Sequence, residues 1–239
     1  VRSFMSGHWD EPNVLAHVRF KTHEVGGKNV LHIEEIQSDW HQQGAKYGYS
    51  DISKVLTAKV PNAPFKETWH ELAMKRMIRY AADTGHDTIS WNSGSTVQTY
   101  VGGKLPGQVA FYGDFLPDNI LGEKILYNLK VISPEKLSAI QRKVLSGEIS
   151  PEVYAAKLKA EATLPTWMNK YAKKWGVKVE PQLNMPEVGT PGATITTKMS
   201  ADVQRGQPLL SLAPWLAGGA GAGGLGAMLG RLGGQEQQS

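Results

Sequence analysis

No cysteine occurs in the 239 residues, which excludes disulfides, thiol catalysis and Cys-ligated zinc and leaves the redox compartment undetermined. There is no GxSxG elbow and no Walker lysine loop, which argues against a serine hydrolase and a P-loop ATPase. His32, Glu34, Glu35, Asp39 and His41 supply metal-ligand types, but no HExxH or other metal-binding spacing links them. No charged-then-apolar leader opens the chain, which begins with Val1 rather than Met; it is read as a piece of a longer protein or as a processed one. Neither sign of charge dominates, with 26 Lys and Arg against 22 Asp and Glu and a formal net charge of +4. That excess permits an anionic partner without demanding one, because dedicated nucleic-acid binders carry denser basic patches.

The rest is ordinary globular material. Hydrophobic residues make up 41% and charged residues 20%, enough for a substantial core. The segment NVLAHVRFKTHEVGGKNVLHIEEIQ alternates from Leu15 to Lys21, turns at Gly26-Gly27 and alternates again from Val30 to Gln37, the pattern of a β-hairpin. Leu31, Ile33, Glu35 and Gln37 share one face of its second strand, with His32, Glu34 and Ile36 on the other. Residues 42–64 are rich in Gly, Ser and Pro and read as a long functional loop or lid.

A helix is expected next. Pro64 marks its approach, TWHE from Thr68 to Glu71 has capping-box spacing, and Gly85 stands where a left-handed C-cap belongs. Trp69, Leu72, Ala73, Met77 and Tyr80 recur at helical spacing between them. DTISWN then reads as a buried strand from Thr88 to Trp91. Strand, loop, helix and strand form a βαβ-like unit, so the expected fold class is α/β (α+β), a mixed sheet flanked by helices.

SPEKLSAIQRKVLSG and SPEVYAAKLKAEA each open on Ser-Pro, an N-cap with proline at the first helical position. They are read as a surface helical hairpin inserted at about 133–163. LPTWMNKYAKKWG is a further helix ending at Gly176 and leading into the strand VKVE, with a last element near Thr194 to Gln204. Residues 1–212 are read as a single domain and 213–239 as a flexible Gly/Ala-rich tail. No charge occurs from Leu209 to Gly230, a span nominally long enough for a membrane. Its many glycines and Pro214 favour a flexible or partner-dependent tail, with membrane contact as the alternative.

The chemistry concentrates in LHIEEIQSDWHQQG. Acidic and amide groups at the end of a core strand occupy the place where α/β sheets bind ligands. If the face carrying Glu35 and Gln37 is buried, that carboxylate must be paired, metal-bound or protonated. Asp39 and His41 complete an acid/base cluster with them. The plainer alternative has Asp39 capping a turn, His41 in solvent and Glu35 paired with an Arg of the helix. Lys75 and Arg79, four residues apart, form a basic row that grips an anionic small-molecule substrate, or else a solvated face. SWNSG reads as a Ser/Gly loop. In AFYGDFLP, Tyr112 is either a proton donor or core. Trp167, Tyr171 and Trp175 are a packing stripe, and Lys170, Lys173, Lys174 and Lys178 a modest candidate for phosphate contacts.

NVLHIEEIQSDWHQQG, VPNAPFKETWHELAMKRMIRYAADTGHDTISWNSG, LPTWMNKYAKKWGVKVE and ITTKMSADVQRGQPLLSL together resemble a domain near the C-termini of large phage and prophage polyvalent proteins. The resemblance covers about residues 8–212. It implies a virus-encoded protein in the virion or host cytoplasm, delivered with or acting on phage DNA, with phage proteins or phage DNA as partners. A second resemblance is of pattern: QQGAKYG, AADTG and FYGDFLP are similar to the glycine loop and late Phe-Tyr of GNAT acyltransferases. That similarity implies a transferase with acyl-CoA held near Gln43, Gly44 and Gly48 and Tyr112 as general acid. Here a linker separates the glycine loop from the next helix, whereas the family runs directly into it. The expected function is therefore an acyltransferase-like group transfer through Glu35, Gln37, Asp39 and His41; the alternative is a non-catalytic module binding phage DNA or virion proteins.

Overall fold

The structure is a computed structural model that describes residues 3–50, 60–182 and 190–206. The chain divides into two units, Val1–Gln207 and Pro208–Ser239. The second, and with it the expected tail and its membrane contact, lies outside the described residues. Among the described residues no helix is long and apolar enough to cross a membrane.

The hairpin forms as its alternation predicts, with β1 (His17–Val25) antiparallel to β2 (Lys28–Gln37) around Gly26 and Gly27, whose φ values are 59° and 73°. One irregularity changes the reading of β2. Arg19 faces Glu35 while Phe20 faces Ile33, so Glu34 is an extra residue and the side-chain parity of β2 flips there. Ile36, not Glu35, joins Leu31 and Ile33 in the core. The expectation that Glu35 shares the buried face is thus corrected by a bulge.

The expected loop is largely a helix at its start. β2 passes through Ser38 into α1 (Asp39–Tyr47), followed by the short β3 (Tyr49–Ser50) and β4 (Val60–Pro61). Next, α2 (Trp69–Asp83) buries Met74, Met77, Ile78, Ala81 and Ala82 against Leu31, Ile33, Ile89 and Trp91. Its expected capping box is absent: Thr68 makes no side-chain cap bond, and Thr68 N and Trp69 N donate instead to Phe65 O. Gly85 has φ 72° just beyond its end, as expected. β5 (Thr88–Trp91) is fully buried and runs parallel to β2.

The chain then turns helical earlier than the sequence suggests. SWNSG does not open a loop: β5 ends at Trp91, Ser93 caps and Gly94 begins α3 (Gly94–Val101), and α4 (Leu105–Tyr112) and α5 (Asp118–Lys130) follow. Ser133-Pro134 opens only one turn of 3-10 helix. The capping box that starts α6 (Ala139–Leu145) belongs to Ser138 and Gln141. Ser150 caps α7 (Pro151–Ala160) as predicted. The hairpin is therefore no isolated insertion. With α4 and α5 it builds its own core from Leu105, Val109, Leu121, Ile125, Leu129, Val144 and Tyr154. A Cβ on Gly122 would lie 2.8 Å from the Pro151 carbonyl carbon, so α5 and α7 meet where only hydrogen fits.

α8 (Thr163–Ala172) stacks Trp167 on Tyr171, as the stripe predicts, and Gly176 ends the turn after it with φ 71°. β6 (Glu180–Gln182), β7 (Thr190–Thr194) and α9 (Thr197–Arg205) complete the domain. The sheet order is β1-β2-β5-β7-β6, with only the central β2–β5 pair parallel. α2, α8 and α9 contribute most of the helical residues of its main core, joined by Val97 of α3 and Tyr112 of α4. This is the expected mixed α/β architecture.

Candidate functional site

The carboxyl ends of β2 and β5 lie side by side, and each strand runs straight into a helix. Ser38 accepts from His41 N to cap α1, and Ser93 accepts from Thr96 N to cap α3. Beyond Ile33 the two strands separate, and side chains take over the exposed edge of β2. The Asn92 amide donates to Glu34 O at 3.0 Å. The Tyr112 hydroxyl donates to Ile36 O at 2.9 Å and accepts from Ile36 N at 3.1 Å. Tyr112 is 3% exposed, and burial pushes its phenol up to about 12. The expected general acid is therefore a structural strut that stands in for a missing strand.

Asp39 begins α1 and is 9% exposed. It accepts from Ser6 Oγ at 2.5 Å, Gln37 Nε2 at 2.6 Å and His8 Nδ1 at 3.0 Å. Burial pushes its pKa up, but these three hydrogen bonds together outweigh that and hold it below the usual carboxylate value. The positive end of α1 acts in the same sense. Because a carboxylate only accepts, His8 donates from Nδ1, which leaves its Nε2 lone pair free. The His8 side chain is 70% exposed. A buried carboxylate thus orients an open imidazole, the arrangement of an acid/base dyad.

The other expected partners go elsewhere. His41 turns toward α2 and is 6% exposed, with Nε2 3.0 Å from Pro64 O, Nδ1 2.7 Å from Ser38 Oγ and its ring stacked on Trp69. Burial lowers its pKa. Glu35 and Glu34 both reach Arg19, at 3.7 Å and 3.0 Å, so the pairing cation comes from β1 rather than the helix. Of the expected quartet, the structure joins only Gln37 and Asp39.

The expected anion and cofactor grips do not form. Lys75 is buried, with its ammonium 5.8 Å from the Tyr171 ring centroid, and burial lowers its pKa. Arg79 binds Asp83 and Val203 O. Both therefore engage the packing of α2 with its helical neighbours. Gln43 and Gly44 lie inside α1, and Gly44 is packed so closely on the Tyr49 ring that a Cβ would overlap it. The Gly48 N–H donates to Gly44 O. These amides close a helix and are not available to an acyl-CoA pyrophosphate.

Ser6, His8 and Ser38 were not legible as site residues. The signal for His8 is nonlocal, because its partner lies 31 positions further on. His32, expected only as a residue of metal-ligand type, is a second buried polar group: its Nε2 donates to Asn92 Oδ1 at 2.8 Å, while Nδ1 faces Ser90 Oγ at 2.9 Å. Among the described residues no group of three His, Asp or Glu side chains is placed to hold a metal.

Fold and site together define a mixed α/β domain with a carboxylate-oriented imidazole at the end of a parallel strand pair. Comparison with protein-family models, curated proteins and solved structures finds no match to the chain.

Proposed function

We propose that the chain is a domain of a phage-encoded polyvalent protein that catalyses group transfer, in the virion or the host cytoplasm, with His8 as proton acceptor and donor. One observation carries this reading: Asp39, buried and held by three side-chain donors, fixes His8 with Nε2 outward. His8 Nε2 takes the proton of an incoming nucleophile, and Asp39 stabilises the imidazolium that results. The phage origin is supported by the four sequence segments quoted above. The donor is not assigned, since the loop expected to hold acyl-CoA is helical. The test is to incubate the domain with acyl-CoA, dinucleotide and nucleoside triphosphate donors and follow their consumption by mass spectrometry. Turnover that is lost in His8→Gln at unchanged melting temperature is the expected result. No donor consumed, or full turnover in His8→Gln, removes the reading.

A second reading, a non-catalytic module for phage DNA or virion proteins, is favoured by the dispersal of Glu35, His41, Lys75 and Arg79 into separate structural contacts. Retention of phage DNA fragments or virion proteins, undiminished in His8→Gln, is its expected outcome.

A further inference from the structure

Between α3, α4 and α5 lies a hollow of about 400 Å³, a volume ordinary for small-molecule sites. None of its lining residues touches Asp39 or His8. Ser95 and Gln98 stand one turn apart on α3, while Glu123 and Tyr127, and Lys124 and Asn128, stand one turn apart on α5. Two helices thus present polar stripes to one space, where facing helices normally present apolar ones. Leu105 supplies the apolar part of the wall.

The hydrogen-bonding capacity of these groups is largely unused. Asn128 Oδ1 accepts from Leu105 N at 3.2 Å, which leaves its amide donors, and Ser95 Oγ lies 3.1 Å from Ser93 Oγ. Among the described residues, the side chains of Gln98, Glu123, Lys124 and Tyr127 have no hydrogen-bond or ion-pair partner. Tyr127 is 75% exposed, so its ring is an open wall and not part of the core.

We propose that this hollow binds a nucleoside monophosphate. The base stacks on the Tyr127 ring, as bases do on exposed aromatic side chains. The amides of Gln98 and Asn128 meet its edge, since a planar amide matches the paired donor and acceptor of a base. Glu123 accepts from ribose hydroxyls, and Lys124 balances the phosphate. A neutral polyol makes no use of the Lys124 ammonium, and a simple anion makes none of Tyr127 or Glu123. The combination selects the nucleotide. This assignment is independent of the His8 dyad.

The test is calorimetric titration of the full chain with AMP, GMP, CMP and UMP, with ribose 5-phosphate and inorganic phosphate as fragments. At least one nucleotide is expected to bind in the submillimolar range, and both fragments at least about ten-fold more weakly. Tyr127→Ala and Lys124→Ala are each expected to weaken that nucleotide about ten-fold or more at unchanged melting temperature, because both side chains are exposed; His8→Gln leaves it unaffected. The proposal is overturned if none of the four nucleotides binds at millimolar concentration. It is equally overturned if inorganic phosphate binds as tightly as the nucleotide, or if both α5 variants bind like the unaltered chain.

Discussion

Ser38 Oγ lies 2.7 Å from His41 Nδ1 and 2.5 Å from Leu15 O, and its single proton serves only one of them. Leu15 O and Pro64 O are carbonyls and accept only. With His41 neutral, its one ring proton serves either Pro64 O, so that Ser38 must choose between the ring and Leu15 O, or Ser38, so that Nε2 faces Pro64 O without a proton. Protonation resolves the conflict: Nδ1 then donates to Ser38, and Ser38 donates to Leu15 O. Burial opposes that charge.

The pH dependence follows from this opposition. The pKa of His41 lies below its ordinary 6.5 in the folded chain, so the unfolded chain binds more protons between the two values. The resulting stability is present above the ordinary value and is lost as pH falls through the folded one. His70 and His86 are pushed the same way by burial. Melting temperature is expected to rise between about pH 5 and about pH 7. In His41→Phe, which keeps the stacking on Trp69, the rise is expected to be shallower.

Asp39→Asn replaces a charged acceptor of three hydrogen bonds with a group half of which donates. The Asn oxygen still accepts, while its NH₂ cannot; bonds to charged groups contribute roughly 1.5–3 kcal/mol each, so losing one of the three is expected to cost on the order of 2 kcal/mol in urea unfolding. The more telling measurement is the ¹⁵N spectrum of His8. The Nδ1–H form is expected to predominate in the unaltered chain and to lose that dominance in the variant.

Tyr112→Phe removes both bonds to Ile36 while keeping the ring. It leaves a buried N–H and C=O without their partner, which costs about 1–3 kcal/mol. Urea unfolding is expected to report a loss in that range. A variant as stable as the parent would show that the hydroxyl does not hold the β2 edge.

Gly122→Ala sets two effects against each other. Alanine favours helix over glycine by about 1 kcal/mol. Its methyl group would sit 2.8–3.0 Å from Pro151 and Glu152 backbone atoms, and overpacking of that kind typically costs about 1–3 kcal/mol. Backbone cannot yield as a flexible side chain does, so net destabilisation is expected, read as a lower melting temperature.

What the sequence made legible is what periodicity carries. The hairpin, α2, β5, α7 and the Trp167–Tyr171 stripe all follow from apolar spacing or local caps. The bulge at Glu34 did not, because it exists only in the pairing with Arg19 and Phe20. α3 and α4 were missed because each is only eight residues long and opens on turn-forming residues, Gly94-Ser95 in one and Pro106-Gly107 in the other, although Leu105, Val109 and Tyr112 do recur at helical spacing. Of the site, Gln37 and Asp39 were found from their place after a core strand. His8 was not, since nothing local to it marks a partner in α1.

α4 carries Leu105 and Val109 into one core and Tyr112 into the other. Helices α5 to α7 rest on their own apolar cluster and touch the sheet core through few shared side chains, so their amides belong to a separate cooperative unit. Hydrogen exchange should release α5, α6 and α7 together, ahead of β2 and β5. The hinge between the two events would be the last turn of α4, beside the β2 edge that leads into Asp39.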